Sequence, residues 1–326
     1  MVKVVKKFFK EATMNPVFIG GCGRSGTTLL GAILGSHSDC LTIPEFQFKL
    51  NIIQACNHKA HFHTYTNEIL KDKRFKIWRI SVDAENLQEN LAKSAIHTVD
   101  FFVKKYAESI NSSKSPKLWI DHTPTNMKYA KTLLEVFPQA KFIHIVRDGR
   151  AVASSVMPLD WGPNTITKAA SWWVEHMAYG LAAESFLGKD KIIRIKYEDL
   201  ISEPEETVKN LCSYLDIEYQ HLMLKATGFK VPFYTSAQHN LIGKRLDVTR
   251  LNDWEKKLAS EEIEIFEILT GDFLKHLNYS LKSHSIRLTI HRVDRVKFYL
   301  QEIYIQQLNK IRNRLRFYKS QIYKLN

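Results

Sequence analysis

The chain has few cysteines and no long apolar run, and both shortages narrow what it can be. Its 326 residues include only four cysteines, Cys22, Cys40, Cys56 and Cys212, scattered and without a C-x-x-C pair. That excludes a disulfide framework and fits a reducing compartment, so a cytoplasmic location is expected. No stretch of 18 or more apolar residues occurs, so no spanning helix is expected. The segment from Met1 to Lys10 is basic, but no separate apolar segment follows it. The next apolar residues, Val17 to Ile19, read as a core strand running into a glycine loop, so a secretory signal is not expected. Internal repeats and low-complexity segments are also missing.

Hydrophobic residues make up 44% of the chain, enough for the core of one α/β domain with a small appendage. The formal charge is +13 and unevenly placed. From Ser283 onward ten Lys/Arg face only Asp294 and Glu302, a net of +8, which leaves +5 for the first 282 residues. A basic balance favours anionic partners such as nucleotides, phospholipid or acidic polymers without choosing among them. Three parts are expected: a basic leader over 1–15, a catalytic domain over 16–282 and a basic tail over 283–326. Within the domain, 46–116 shows no motif and is expected to be the variable region that shapes an acceptor site.

Alternating element types set the fold class. Val17 to Ile19, Lys117 to Ile120, Lys141 to Val146 and Lys191 to Ile195 read as buried strands. Thr27 to Leu34, Ser94 to Ile110, Asn126 to Phe137 and the run after Ala151 read as helices. Strand–helix alternation predicts a parallel sheet with right-handed crossovers and helices on both faces, a three-layer α/β architecture. Ligands of such sheets sit beyond the carboxyl ends of the strands. From about 286 to 326 apolar residues recur at steps of three and four, close to a heptad seam: Val293, Val296, Leu300 and Ile303, then Leu308, Ile311, Leu315, Tyr318 and Ile322. One slip of five separates the two runs.

Two loops carry the chemistry. Gly21 to Thr28 reads G-x-x-x-x-G-T-T between a strand and a helix. This is the frame of a phosphate-binding loop, with Thr27 where an NTPase has its lysine. Backbone N–H groups and a helix N-terminus still favour an anion there, and Arg24, Ser25, Thr27 and Thr28 add donors around Gly26. Without that lysine, and without an evident acid for magnesium, triphosphate chemistry is not expected. The second loop follows Lys141 to Val146: Arg147-Asp148-Gly149-Arg150, then a helix bearing Ser155. A guanidinium fork and a hydroxyl at that spacing can converge on one phosphate.

The run Arg24 to Leu30 resembles the 5′-phosphosulfate loop of the sulfotransferases, nearest to the pattern of tyrosylprotein sulfotransferases and bacterial enzymes similar to them. V-R-D-G-R-A-x-x-x-S resembles the family's 3′-phosphate motif. The resemblance implies a P-loop-type fold and 3′-phosphoadenosine 5′-phosphosulfate (PAPS) as donor, with no metal. Arg24, Gly26, Thr27 and Thr28 would hold the 5′-phosphosulfate, and Arg147 and Ser155 the 3′-phosphate. Lys196-Tyr197-Glu198-Asp199-Leu200 resembles the family's Y-E-D-L segment, which puts Tyr197 at the nucleotide, and Lys244 matches a lysine that contacts PAPS. It covers roughly residues 16–255 and leaves the tail unaddressed.

Sulfuryl transfer needs a base at the acceptor. The resemblance gives that role to Glu45, at the family's spacing from Arg24. Asp121-His122-Thr123-Pro124 departs from the family's D-K-T-P, with His122 in place of the lysine, and so makes His122 an alternative base. His58, His61 and His63 have no cysteine or carboxylate at ligand spacing, so no metal is expected there. Trp172 and Trp173 are expected in the core. The acceptor is left open among glycan, lipid, protein tyrosine and small molecule, and no nucleic-acid partner is expected. The tail suits either a homodimer or a peripheral membrane contact. The rival classes are a divergent P-loop kinase and a non-catalytic nucleotide- or membrane-binding module.

Overall fold

The computed structural model describes residues 14–58, 62–72, 74–110, 112, 116–231, 242–243, 248–282 and 292–322. Five strands form one parallel sheet: β1 (Asn15–Gly21), β2 (Cys40–Ile43), β3 (Leu118–Asp121), β4 (Lys141–Val146) and β5 (Ile192–Lys196), in the order β2-β3-β1-β4-β5. Val17, Phe18 and Ile19 are all fully buried. Such continuous apolar burial marks a strand covered on both faces, where alternation disappears.

The helices are α1 (Thr27–Gly35), α2 (Lys49–Asn57), α3 (Phe62–Lys71), α4 (Ala84–Lys93), α5 (Ala95–Ser109), α6 (Ala130–Val136), α7 (Gly149–Val156), α8 (Ile166–Leu187), α9 (Tyr197–Ser202), α10 (Pro204–Leu215), α11 (Trp254–Lys257), α12 (Ser260–His276) and α13 (Arg292–Ile322). Phe18 faces the apolar cluster under α4, α5 and α6, whereas Val17 and Ile19 face the one under α1 and α10. A third cluster joins α7, α8 and α12 through Trp173 and Phe266. The expected three-layer α/β architecture is therefore present.

Two local expectations shift. The helix expected over 126–137 opens as a 3-10 turn, Pro124–Tyr129, and becomes α-helical only at Ala130. The buried Asn126 carboxamide donates to Ile19 O at 2.9 Å and Asp121 O at 3.1 Å, which ties the turn to two strand ends. The motif-free stretch after residue 46 holds four helices, α2 to α5. They close over an aromatic cluster of Phe46, Phe48, Phe75, Trp78 and Phe102 with ring centroids 4.7–6.2 Å apart. Edge-to-face geometry dominates, as ring quadrupoles prefer.

The strand order places the site. The chain leaves β1 for β2 and β3 on one side and returns to β4 on the other. The loops after β1 and β4 therefore lie side by side at the switch point of the sheet. The loops after β3 and β2 continue the same edge.

Candidate active site

Gly20 to Thr28 turns through conformations that demand glycine at two points. Gly21 has φ +152°, and a Cβ there would stand 2.2 Å from Ile145 O. Gly26 has φ +96°, and a Cβ there would stand 2.6 Å from the Tyr197 ring. Gly26 caps α1 with no side-chain hydrogen bond and no acid in the first turn, so the helix N-terminus is left to an anion. Ser25, Thr27 and Thr28 are buried around it. Ser25 Oγ, fully enclosed, has no hydrogen-bond partner among the described residues.

The second loop locks onto the first. Arg147 Nη1 donates to Arg24 O at 2.8 Å, and Arg24 Nε donates to Ser155 Oγ at 3.1 Å. The Arg147 guanidinium lies over the Tyr197 ring at 4.2 Å, a cation–π stack. The buried Arg147 Nε has no hydrogen-bond partner among the described residues. Burial, then the neighbouring Arg147 charge, push the Arg24 guanidinium below its ordinary value. Two crowded cations and buried donors without partners give this edge a positive character that an anion would offset. Asp148 caps α7 at Arg150 N and, with Glu267, ion-pairs the buried Arg150. Arg150 is thus a structural cation that fixes the loop.

The expected site residues Arg24, Ser25, Gly26, Thr27, Thr28, Arg147, Ser155 and Tyr197 converge here. Lys244 lies outside the described residues. Trp173 is core, as expected, but Trp172 is only half-buried, and its ring would meet a Cβ on Gly23 at 2.9 Å. It also lines a cavity of about 310 Å³ with Gly21, Lys128, Glu175, His176 and Tyr179, which neither Glu45 nor His122 lines. His61 lies outside the described residues, and no group of three metal-binding side chains occurs among those described.

Glu45 and His122 occupy adjoining loops, after β2 and β3. Glu45 Oε2 accepts from Gln47 Nε2 at 2.6 Å. His122 is 2% exposed, packs edge-on to Phe229 at 4.9 Å, and has no hydrogen bond on either ring nitrogen among the described residues. Burial pushes its pKa below the ordinary value, against the opposing pull of Glu45 and Asp121. Burial therefore favours the neutral imidazole.

Sequence reasoning missed the pair that holds these loops. Asp121, the last residue of β3 and fully buried, ion-pairs with Lys49 Nζ at 3.0 Å. Its other oxygen accepts from Phe46 N at 3.3 Å, Thr123 N at 3.0 Å and Thr123 Oγ1 at 2.5 Å. Lys49 Nζ also donates to Phe46 O at 2.9 Å. Burial alone would raise the Asp121 pKa, but the Lys49 charge and the Thr123 hydroxyl outweigh it and hold the carboxyl below its usual range. The strand-end acid that an NTPase would use for magnesium is present after all, and Lys49 has claimed it. Asp121 and Lys49 stand far apart in the sequence, so no local spacing could have flagged the pair.

Fold and loops define a phosphate-loop-type protein whose loop carries no lysine. A family model described as the sulfotransferase family matches residues 16–221, and the chain belongs to that family. The Drosophila melanogaster protein-tyrosine sulfotransferase is 25% identical over 218 residues, 65% of this chain and 40% of the fly protein. The chain spans about half or less of the length of the first curated relatives it matches. Among solved structures, the sulfotransferase domain of the Synechococcus PCC 7002 olefin synthase superposes with a TM-score of 0.61 at 21% identity, covering 84% of this chain and 98% of that domain. The sulfotransferase domain from the curacin biosynthetic pathway gives 0.60 at 18%, covering 82% and 99%. At these identities the two structures share the fold.

Proposed function

We propose that the chain transfers a sulfuryl group from PAPS to an acceptor hydroxyl or amine. The observation that carries this reading is the interlock of Arg24, Arg147 and Ser155 on the strand edge. It supports two anionic anchors in one site, as a donor with a 5′-phosphosulfate and a separate 3′-phosphate requires. Arg24, Gly26, Thr27 and Thr28 with the α1 N-terminus would hold the phosphosulfate, and Arg147 and Ser155 the 3′-phosphate. The donor supplies an electrophilic sulfur. The acceptor oxygen forms the new S–O bond, its proton passes to Glu45, and the bond to the bridging oxygen breaks to release adenosine 3′,5′-bisphosphate. Loop donors oppose the charge that gathers on that oxygen.

His122 is the alternative base. Its neutral state suits proton acceptance and argues against its replacing the charge of the family's lysine. The acceptor class stays open among protein tyrosine, glycan, lipid and small molecule, and the names of the curated relatives favour the first. The four cysteines, three of them buried, form no disulfide among the described residues, which fits the reducing, cytoplasmic setting of this reading. No helix among the described residues is long and apolar enough to cross a membrane. The division into a catalytic domain over 16–282, its acceptor region over 46–116 and a tail over 283–326 is part of the same reading.

Calorimetric titration with adenosine 3′,5′-bisphosphate, beside ADP with magnesium, tests the donor. The bisphosphate should bind, and Arg147→Ala should weaken it by roughly 10–100-fold, the equivalent of one lost charge-assisted contact. Binding of magnesium-ADP in place of the bisphosphate would instead support the kinase class.

A further inference from the structure

The tail helix α13 is inside out. Amphipathic helices on a protein body normally bury the apolar face. Here the side turned to the body is mainly polar, with Phe298 packed beside it against the third apolar cluster. Glu302 is 7% exposed, and its Oε2 accepts from Asn164 N at 3.2 Å and Thr165 Oγ1 at 2.8 Å. That carboxylate sits at the N-terminus of α8, where a helix favours an anion. Asn309, 5% exposed, donates to Asn164 Oδ1 at 3.0 Å, and Asn313 donates to Asp160 O at 2.6 Å.

The apolar side faces outward. Val293, Val296, Leu300, Tyr304, Ile311 and Leu315 are 56–78% exposed. At 100° per residue they fall within a stripe about 100° wide. A strict heptad from Val293 would instead carry the seam through Gln307, Lys310 and Arg314. These six residues therefore keep to one side of a straight helix. A flat surface accepts such a stripe throughout, whereas a coiled-coil seam is interrupted by the slip of five after Ile303.

Charge is sorted the same way. Between Arg292 and Ile322 there are eight Lys/Arg and two acids. Glu302 is spent on the body and Asp294 is half-buried, whereas Arg292, Arg295, Lys297, Lys310, Arg312 and Arg314 are exposed. Among the described residues the exposed charges of α13 are thus all cations, lying beside the apolar stripe and the neutral Gln301 and Gln307.

We propose that α13 seats the protein on an anionic phospholipid surface, with its polar face fixed to the body and its apolar stripe in the headgroup region. Such helices bind by apolar burial together with attraction to acidic lipid. The exposed cations provide the complementary charge, and the break in the heptad after Ile303 disfavours a second copy.

Vesicle flotation of the full chain tests this. Vesicles of phosphatidylcholine with phosphatidylglycerol at about 3:1 should retain the protein about tenfold or more better than phosphatidylcholine alone, and less well as salt rises. The double variant Leu300→Asp/Ile311→Asp should lose vesicle binding and keep its affinity for adenosine 3′,5′-bisphosphate. If that variant does not fold, Lys310→Glu/Arg314→Glu, which leaves the stripe intact, should lose only the preference for acidic lipid. Equal retention on both vesicles, or on neither, overturns the proposal. So does a dimer in light scattering that Leu300→Asp dissociates, which would assign the stripe to a second copy.

Discussion

Lys49→Met removes the cation from a carboxylate that has no exposure at all, and its effect can be worked out. In the native protein Asp121 Oδ2 has Lys49 at 3.0 Å, while the other oxygen has Phe46 N and the Thr123 N–H and hydroxyl. The variant keeps the second set and strands the first oxygen. Breaking a buried pair from one side costs about 3–5 kcal/mol, and the surviving donors place this case near the lower end, about 3 kcal/mol. The pH dependence has a definite sign. Native Asp121 titrates below its unfolded value, so its contribution is present above the unfolded pKa and fades as pH falls through the folded one. Without Lys49, burial dominates and raises the folded pKa above the unfolded value. The penalty is then largest at neutral pH and shrinks as acid protonates the carboxyl. Urea unfolding at about pH 7.5 and about pH 5 should therefore give a smaller difference from wild type at the lower pH. Asp121→Asn added to Lys49→Met should recover about 1–2 kcal/mol, because an amide no longer requires a cation. A loss below about 1 kcal/mol that is equal at both pH values would show that the pair does not hold this edge.

Three further outcomes follow from the same geometry. Gly26→Ala must accept φ +96° and displace the Tyr197 ring; it should cost about 1–3 kcal/mol in urea unfolding and weaken bisphosphate binding by more than about tenfold, whereas unchanged binding would remove the loop from the site. Glu45→Gln should lower kcat by about 10²–10⁴-fold and leave bisphosphate affinity within about twofold; a rate within about tenfold of wild type would transfer the base role to His122. Burial holds native His122 below its ordinary pKa, so its contribution is present above about pH 6.5 and fades as pH falls toward the folded value. His122→Gln should accordingly flatten the stability profile between about pH 7 and about pH 5, and an unaltered profile would mean that His122 takes up protons freely when folded.

What the sequence disclosed depended on how local the cause was. The phosphate loop was legible because its requirement is local: a strand, a turn needing glycine at 21 and 26, and a helix start. Arg147 and Ser155 were legible for the same reason, as was β4, whose apolar run has the observed bounds. Their mutual contact was not, because it depends on β1 and β4 being neighbours in the sheet. The Asp121–Lys49 pair was hidden more deeply. Asp121 looked like one member of a motif, Lys49 fell in the motif-free stretch, and only the meeting of β3 with the start of α2 turns them into a buried pair. The tail was legible only in part. Its apolar spacing was visible and was read as a seam for a second copy or a membrane, but nothing local says that Glu302 and Asn309 would take the inward side.

That inversion bears on how the site and the tail are joined. The residues that receive α13, Asp160 to Thr165, lie between α7, which carries Ser155, and α8, which carries Trp172. Trp161, in the same segment, comes within 3.8 Å of where a Cβ on Gly23 would stand. One short loop thus touches both the phosphate loop and the tail helix. Unlike a flexible linker, a polar dock with hydrogen bonds at Glu302, Asn309 and Asn313 fixes the direction in which the helix faces. Glu302→Ala removes the carboxylate from the α8 N-terminus and separates the two roles of α13. It should loosen the helix from the body, read as faster amide exchange over 164–166, while the exposed stripe and its cations are unchanged. Exchange there that matches wild type would show that the dock contributes nothing to the order of the loop beside the phosphate site.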